Sequence, residues 1–346
     1  MFVPAGESPK RPLAAIFGCS AQTLTPSERS FFRDMNPLGF ILFARNISDP
    51  DQVRRLVDSL RDCTGRADAP VLIDQEGGRV ARLQPPHWRA APPAGRFAAL
   101  YKTDPKRALE AACLNARLIA AELDALGISI DCAPVLDLPQ AGADPIIGDR
   151  AAGTDIVQAV ALGRAVCEGF LAGNVLPILK HIPGHGRALV DSHKKLPVVD
   201  TPRRDLEGLD FAPFKALADM PWAMTAHVVY SAIDPTMPAT LSTAVIETVI
   251  RGHIGFDGVL ISDDIGMQAL SGDMAARAAG ALAAGCDVIL HCSGNMEEMR
   301  AVAGALRPLT AAAMDRLRRA EAMRRGARAF DRVAALAKLA DLREGV

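Results

Sequence analysis

Eight short apolar runs, each followed by polar residues and then a helix-like pattern, constrain this 346-residue chain more than any other feature. They occupy 14–19, 39–44, 70–75, 128–135, 175–182, 223–230, 258–264 and 288–292. Runs of this length, rich in Val, Ile and Leu, read as strands buried on both faces, the pattern of a parallel sheet covered by helices. The segments between them carry helix starts. Asp104-Pro105 sets a cap before a proline at the first helical position, and apolar spacing through Leu109, Cys113, Leu114, Leu118 and Ala121 closes at Gly127. Further starts fall at Asp49-Pro50, Thr154, Pro202 and Ser242, the last with Glu247 in its early turns. Eight repeats, rather than five or six, predict a closed (β/α)8 barrel instead of a doubly wound sheet. The Ala-, Arg- and Leu-rich stretch 296–346 predicts helices packed outside it. No linker divides the chain, so a single domain over 1–346 is expected.

The 39 basic and 40 acidic residues are spread along the sequence and leave neither a nucleic-acid stripe nor a polybasic membrane anchor. A small or neutral partner is expected, with no nucleic acid and no membrane. No segment approaches the roughly 20 apolar residues of a membrane span. The seven cysteines are scattered without a CxxC pair, and reduced core thiols in a cytoplasmic protein account for them. Lys10 and Arg11, followed by an apolar run ending at Cys19, resemble a lipoprotein signal. That run is too short, and a stretch bounded by Pro4 and Pro9 precedes it, so a first barrel strand is the better expectation.

In a barrel, reactive groups collect at the C-terminal ends of the strands. Those positions hold Arg45-Asn46, Asp74 through Arg79, Asp137, Lys180-His181, His227, Ser262-Asp263-Asp264 and His291. Unpaired buried charges are costly, so such convergence implies a polar ligand or an ion-pair network. Asp264 reads as a helix cap; Asp263, nearer the strand, is the candidate for chemistry. After the fifth strand, Pro183, Gly184 and Gly186 release the backbone into a loop carrying His185, Asp191 and His193. Residues two apart in an extended segment share a side, so Asp191 can orient the His193 imidazole for general acid/base work; an exposed loop with an incidental Asp-x-His has the same spacing. His181, His185 and His193 could also be read as zinc ligands, although their spacing matches no standard site and Lys180 would repel a cation.

The stretches LGFILFARNI (38–47), VLIDQEGGRVARL (71–83), APVLDL (133–138), GDR (148–150), KHIPGHG with the following DSH (180–193), MTAHV (224–228) and GVLISDDIGM (258–267) together resemble glycoside hydrolase family 3. Within it they are similar to single-domain bacterial β-N-acetylhexosaminidases of peptidoglycan recycling. The resemblance implies that Asp263 is a nucleophile forming a covalent glycosyl-enzyme and that His193, steadied by Asp191, is the acid/base. It further implies that Asp74, Arg82, Arg150, Lys180 and His181 hold an N-acetylglucosamine unit, that no cofactor or metal is needed, and that the substrate is an N-acetylglucosaminyl-anhydro-muropeptide. A histidine in place of a second carboxylic acid departs from the usual glycosidase pair. The last fifty or so residues carry no matching motif, and the chain is too short for the sandwich domain of the two-domain members. A barrel metallohydrolase and a non-catalytic sugar-binding barrel remain as competing readings; the joint presence of Asp263, Asp191 and His193 weighs against the second.

Overall fold

A computed structural model describes residues 11–324, 326 and 329–343. Eight parallel strands close into a barrel in sequence order: β1 (Leu13–Gly18), β2 (Pro37–Leu42), β3 (Val71–Ile73), β4 (Ile130–Asp131), β5 (Leu176–Ile182), β6 (Trp222–Thr225), β7 (Val259–Asp264) and β8 (Val288–His291). Closure is made by β8 against β1, with Phe17 opposite His291. The (β/α)8 barrel expected from the alternating pattern is the observed fold. The run ending at Cys19 is its first strand, while the preceding Pro4 to Pro9 stretch and Lys10 lie outside the described residues.

Several of the expected strands are shorter than their apolar runs, proline and glycine contributing at two of these places. The run 128–135 forms only two residues of sheet, because Pro134 has no N–H to give the ladder. Val135 then makes a single bridge to Lys180. The run 223–230 splits: Trp222–Thr225 stays in the barrel, and Val229–Tyr230 pairs with Val198–Val199 beyond the rim. After β3 the chain turns back on itself as a small hairpin, Gln75–Gly77 against Val80–Ala81. Gly77 and Gly78 have φ of 98° and 58°, and a Cβ on Gly77 would lie 2.3 Å from the Pro92 carbonyl oxygen, so glycine is required at this turn.

The expected helix starts are largely realised. Asp49 caps Pro50–Thr64, accepting from the Gln52 N–H, and Asp104 caps Pro105–Asp124, accepting from the Arg107 N–H. Asp155 rather than Thr154 is the cap of Ile156–Ala172, since its carboxylate accepts from the Gln158 N–H. Two apolar layers result. Ile16, Ile41, Leu72, Ile178, Met224, Ile261 and Leu290 fill the barrel, and a larger core lies between the strands and their helices. Of the C-terminal helices, Met296–Ala305 packs on Met274–Ala284 and Arg332–Arg343 on Pro105–Asp124. Between them Ala311–Ala322 lies across the N-terminal ends of the strands, with Met314 and Leu317 facing Leu38, Ile130, Leu176 and Trp222. One end of the barrel is thereby covered and the other remains open. Among the described residues no helix is long and apolar enough to cross a membrane.

Candidate active site

The open end holds a cavity of about 360 Å³ lined by Asp74, Arg82, Arg150, Lys180, His181, His193 and Asp263, with Phe43, Met224, Met267, Leu290 and Cys292 as its apolar wall. Seven of the eight residues singled out from the sequence therefore line one space. The eighth, Asp191, stands directly behind His193. Strand geometry explains the convergence: Asp74 follows β3, Lys180 and His181 end β5, and Asp263 ends β7, so each leaves the barrel at the same rim.

Three cations and two carboxylates lock together on one side. Lys180 Nζ sits 2.8 Å from Asp74 Oδ1 and 2.6 Å from Glu76 Oε1. Arg82 reaches Asp74 Oδ2 at 3.0 Å, and Arg150 grips Glu76 through Nε at 2.9 Å and Nη2 at 2.8 Å. Burial alone would raise both carboxyls, but Lys180 with Arg82 holds Asp74, and Lys180 with Arg150 holds Glu76, below the ordinary value. Both stay ionised at neutral pH.

Histidines organise the opposite side. Asp137 is fully buried and accepts from the His181 N–H (3.1 Å), the His185 N–H (2.7 Å) and His181 Nδ1 (2.7 Å). Burial would raise its carboxyl, yet His181 and His185 keep it ionised and low. Because an ionised carboxylate only accepts, His181 must carry its proton on Nδ1, which leaves Nε2 for the cavity. His185 is pushed down to about 4 by burial and is neutral; its Nε2 lies 3.1 Å from Ser192 Oγ, pinning the loop that follows β5. Farther along that loop, Asp191 Oδ1 accepts from both the N–H (2.9 Å) and Nδ1 (2.8 Å) of His193. Burial raises Asp191, but these two bonds outweigh it and hold the carboxyl below the ordinary range. The His193 side chain is 60% exposed and lines the cavity at its rim, and among the described residues its Nε2 has no hydrogen-bond partner.

Asp263 occupies the floor. Its Oδ1 accepts the Asp264 N–H at 2.8 Å. Burial would raise it, and the imidazoles of His227 and His181 together with that N–H bring it below the usual carboxylate value. The carboxylate is ionised at neutral pH.

Several strand-end residues serve structure instead. Arg45 donates to the carbonyls of Cys19 and Cys292 and Asn46 to those of Cys19 and Ala21. His227 donates from Nε2 to the Asp264 carbonyl at 3.0 Å, and His291 is bound to Glu298 at 3.0 Å. Asp264 caps no helix: its Oδ1 accepts from Gly266 and Cys292 in a tight turn. The three histidines considered as metal ligands bond to three different partners, and among the described residues no group of three or more His, Cys, Asp or Glu is arranged to hold a metal ion. Sequence reading assigned no role to Glu76 or Asp137. The alternation Asp74-x-Glu76 after a strand was the available signal for the first, and its place after the fourth strand marked the second as a rim residue without giving its role.

A barrel whose mouth sets an ionised carboxylate beneath a cavity, with polar groups along one wall and an Asp–His pair at its rim, defines a glycoside hydrolase. Residues 23–324 match the family described as glycosyl hydrolase family 3 N terminal domain, and the chain belongs to that family. It is 40% identical over 282 residues to a β-hexosaminidase of Alkalilimnicola ehrlichii, covering 80% of each chain, and 40% identical over 297 residues to one of Xylella fastidiosa, covering 84% of this chain and 87% of that one. Among solved structures it is similar to NagZ from Neisseria gonorrhoeae, with a TM-score of 0.86, 30% identity, and 97% of this chain and 99% of that one covered.

Proposed function

We propose that this protein is a retaining exo-β-N-acetylglucosaminidase that removes terminal N-acetylglucosamine from 1,6-anhydro-muropeptides in the cytoplasm, as a step of cell-wall recycling. The coarser statement, that it is a β-N-acetylhexosaminidase of family 3, follows from the β-hexosaminidase relatives and the barrel. The finer reading rests above all on one observation: Asp263 and His193 line the same cavity as the five residues suited to hold a sugar.

In this reading Asp263 attacks the anomeric carbon while His193 Nε2 gives its proton to the departing oxygen, so the glycosidic bond breaks as a carboxylate ester forms. Water then attacks the same carbon, returns its proton to Nε2 and releases Asp263. Asp191 fixes the Nδ1–H tautomer and stabilises the imidazolium when the ring is charged. Asp74, Arg82, Arg150, Lys180 and His181 bind hydroxyl and acetamido groups through charge-assisted hydrogen bonds, which discriminate strongly against an analogue lacking the matching group.

Trapping with a 5-fluoro N-acetylglucosamine-type reagent followed by peptide mapping tests the assignment. Label on the peptide containing Asp263, and none in Asp263→Ala, is the expected result. Label on any other residue would overturn it.

A further inference from the structure

We infer that Glu76 is a positioning residue of the sugar site: it holds Arg150 and Lys180 in the orientations in which they meet the ligand, without reaching the ligand itself. The inference rests on reading the cavity as the sugar site. Glu76 sits on the inner strand of the hairpin after β3, its side chain 7% exposed, and it is absent from the cavity wall that Arg150 and Lys180 both line.

Arg150 needs such a partner. It ends a three-residue turn, Gly148–Arg150, inside a long connection between β4 and the helix Ile156–Ala172 that forms no other regular element. A guanidinium on a flexible stem in such a segment has many rotamers open to it. The Glu76 carboxylate engages Nε and Nη2 together, and this two-point grip fixes the plane of the group. What remains are the second N–H of Nη2 and those of Nη1, whose one acceptor among the described residues, the Ile146 carbonyl, lies at 3.3 Å. Donor capacity is therefore left for a ligand.

Lys180 is oriented in the same way. An ammonium has three N–H donors; Asp74 and Glu76 take two, and the third is left to point at the cavity. Asp74 cannot do this alone, because one acceptor leaves the ammonium free to rotate about the bond.

The wall is also joined in the reverse sense. Arg79, from the hairpin, donates to Asp149 at 3.1 Å and to the carbonyls of Ile146 at 2.5 Å and Ile147 at 3.3 Å in the loop. Hairpin and loop thus exchange arginines, with Arg79 on the outer rung and Arg150 on the inner one. The outer rung is exposed, with Arg79 at the edge of the cavity lining; the inner rung is buried and holds Arg150, which lines the cavity together with Lys180. Asp263 and His193 belong to other elements, β7 and the loop after β5, and neither touches Glu76.

The test is Glu76→Gln, which keeps the shape and one acceptor while removing the charge. KM for an aryl β-N-acetylglucosaminide should rise about 10- to 100-fold, in step with the inhibition constant of free N-acetylglucosamine, while kcat changes by less than about threefold. In an Arg150→Ala background the same substitution should raise KM by less, since one of the two residues it acts through is gone and only Lys180 remains. Arg150→Lys, which keeps the charge but loses the two-point grip, provides a second variant should Glu76→Gln not fold, and its KM should also rise. Folded Glu76→Gln with wild-type KM, a fall in kcat at constant KM, full additivity with Arg150→Ala, or Arg150→Lys with wild-type KM would each overturn the inference. Wild-type protein that neither hydrolyses the glycoside nor binds N-acetylglucosamine would overturn it together with the reading of the site, whereas an active wild type matched by Glu76→Gln removes this inference alone.

Discussion

Replacing His193 with alanine separates proton donation from every other contribution to the site. The imidazole is 60% exposed and, among the described residues, bonded through its ring only to Asp191, so removing it uncovers no core surface. An exposed substitution of this kind shifts stability by about 0.5 kcal/mol at most, which for a chain this long moves Tm by roughly 2 °C or less. Any large kinetic loss is then chemical. A positioned general acid is worth about 10²- to 10⁴-fold, but only where the leaving oxygen needs a proton. With an alkyl or sugar leaving group His193→Ala should lose that full factor; with a dinitrophenyl leaving group, which departs as a stable anion, formation of the glycosyl-enzyme should fall less than about tenfold. Since the return proton transfer is also lost, the intermediate should accumulate, and a pre-steady-state burst should appear that azide shortens by attacking without general-base help. The assay is kcat/KM across a leaving-group series together with stopped-flow release of dinitrophenol. An equal loss for good and poor leaving groups, with no burst, would refute the acid/base role and leave His193 as a rim residue.

Asp74→Asn should raise KM for the same glycosides by about 10- to 150-fold, the equivalent of one charge-assisted bond at about 1.5–3 kcal/mol, because Lys180 and Arg82 then face a neutral amide; steady-state kinetics with KM unchanged within twofold would contradict this. A third test uses Asp131, whose carboxyl burial raises from 3.8 to about 8, and whose Oδ2 has no partner. Between roughly pH 4 and 8 the folded state keeps a proton that the unfolded chain has released, so stability falls as pH rises through that window. Asn at this position still accepts the Gln75 N–H bond made at 2.9 Å and cannot ionise. Denaturant titrations should show the wild type losing up to about 4 kcal/mol more than Asp131→Asn between pH 5 and 8; equal slopes would refute the argument.

Why most of the site could be read in one dimension and part of it could not follows from what each residue touches. Asp74, Lys180, His181 and Asp263 are set by the strands they terminate, and a strand end is a local feature that the apolar runs reveal. The Asp191–His193 pair is likewise local, since its two bonds span two residues. Glu76 and Asp137 are different. Their partners lie 74 and 44 residues away, and the bonds that define them exist only after closure of the barrel brings β3, β4 and β5 side by side. The same closure gives Arg45, His227 and His291, which also stand at strand ends, protein partners of their own. Each stands at the expected rim, but a neighbouring strand or loop offers a carbonyl, hydroxyl or carboxylate at hydrogen-bonding distance, and the two buried imidazoles in particular are satisfied there. Strand-end position therefore marks which residues can reach the mouth, while the donors among them without a partner in the described residues, such as the third N–H of Lys180 and the second of Arg150 Nη1, are those the proposed reading assigns to the sugar.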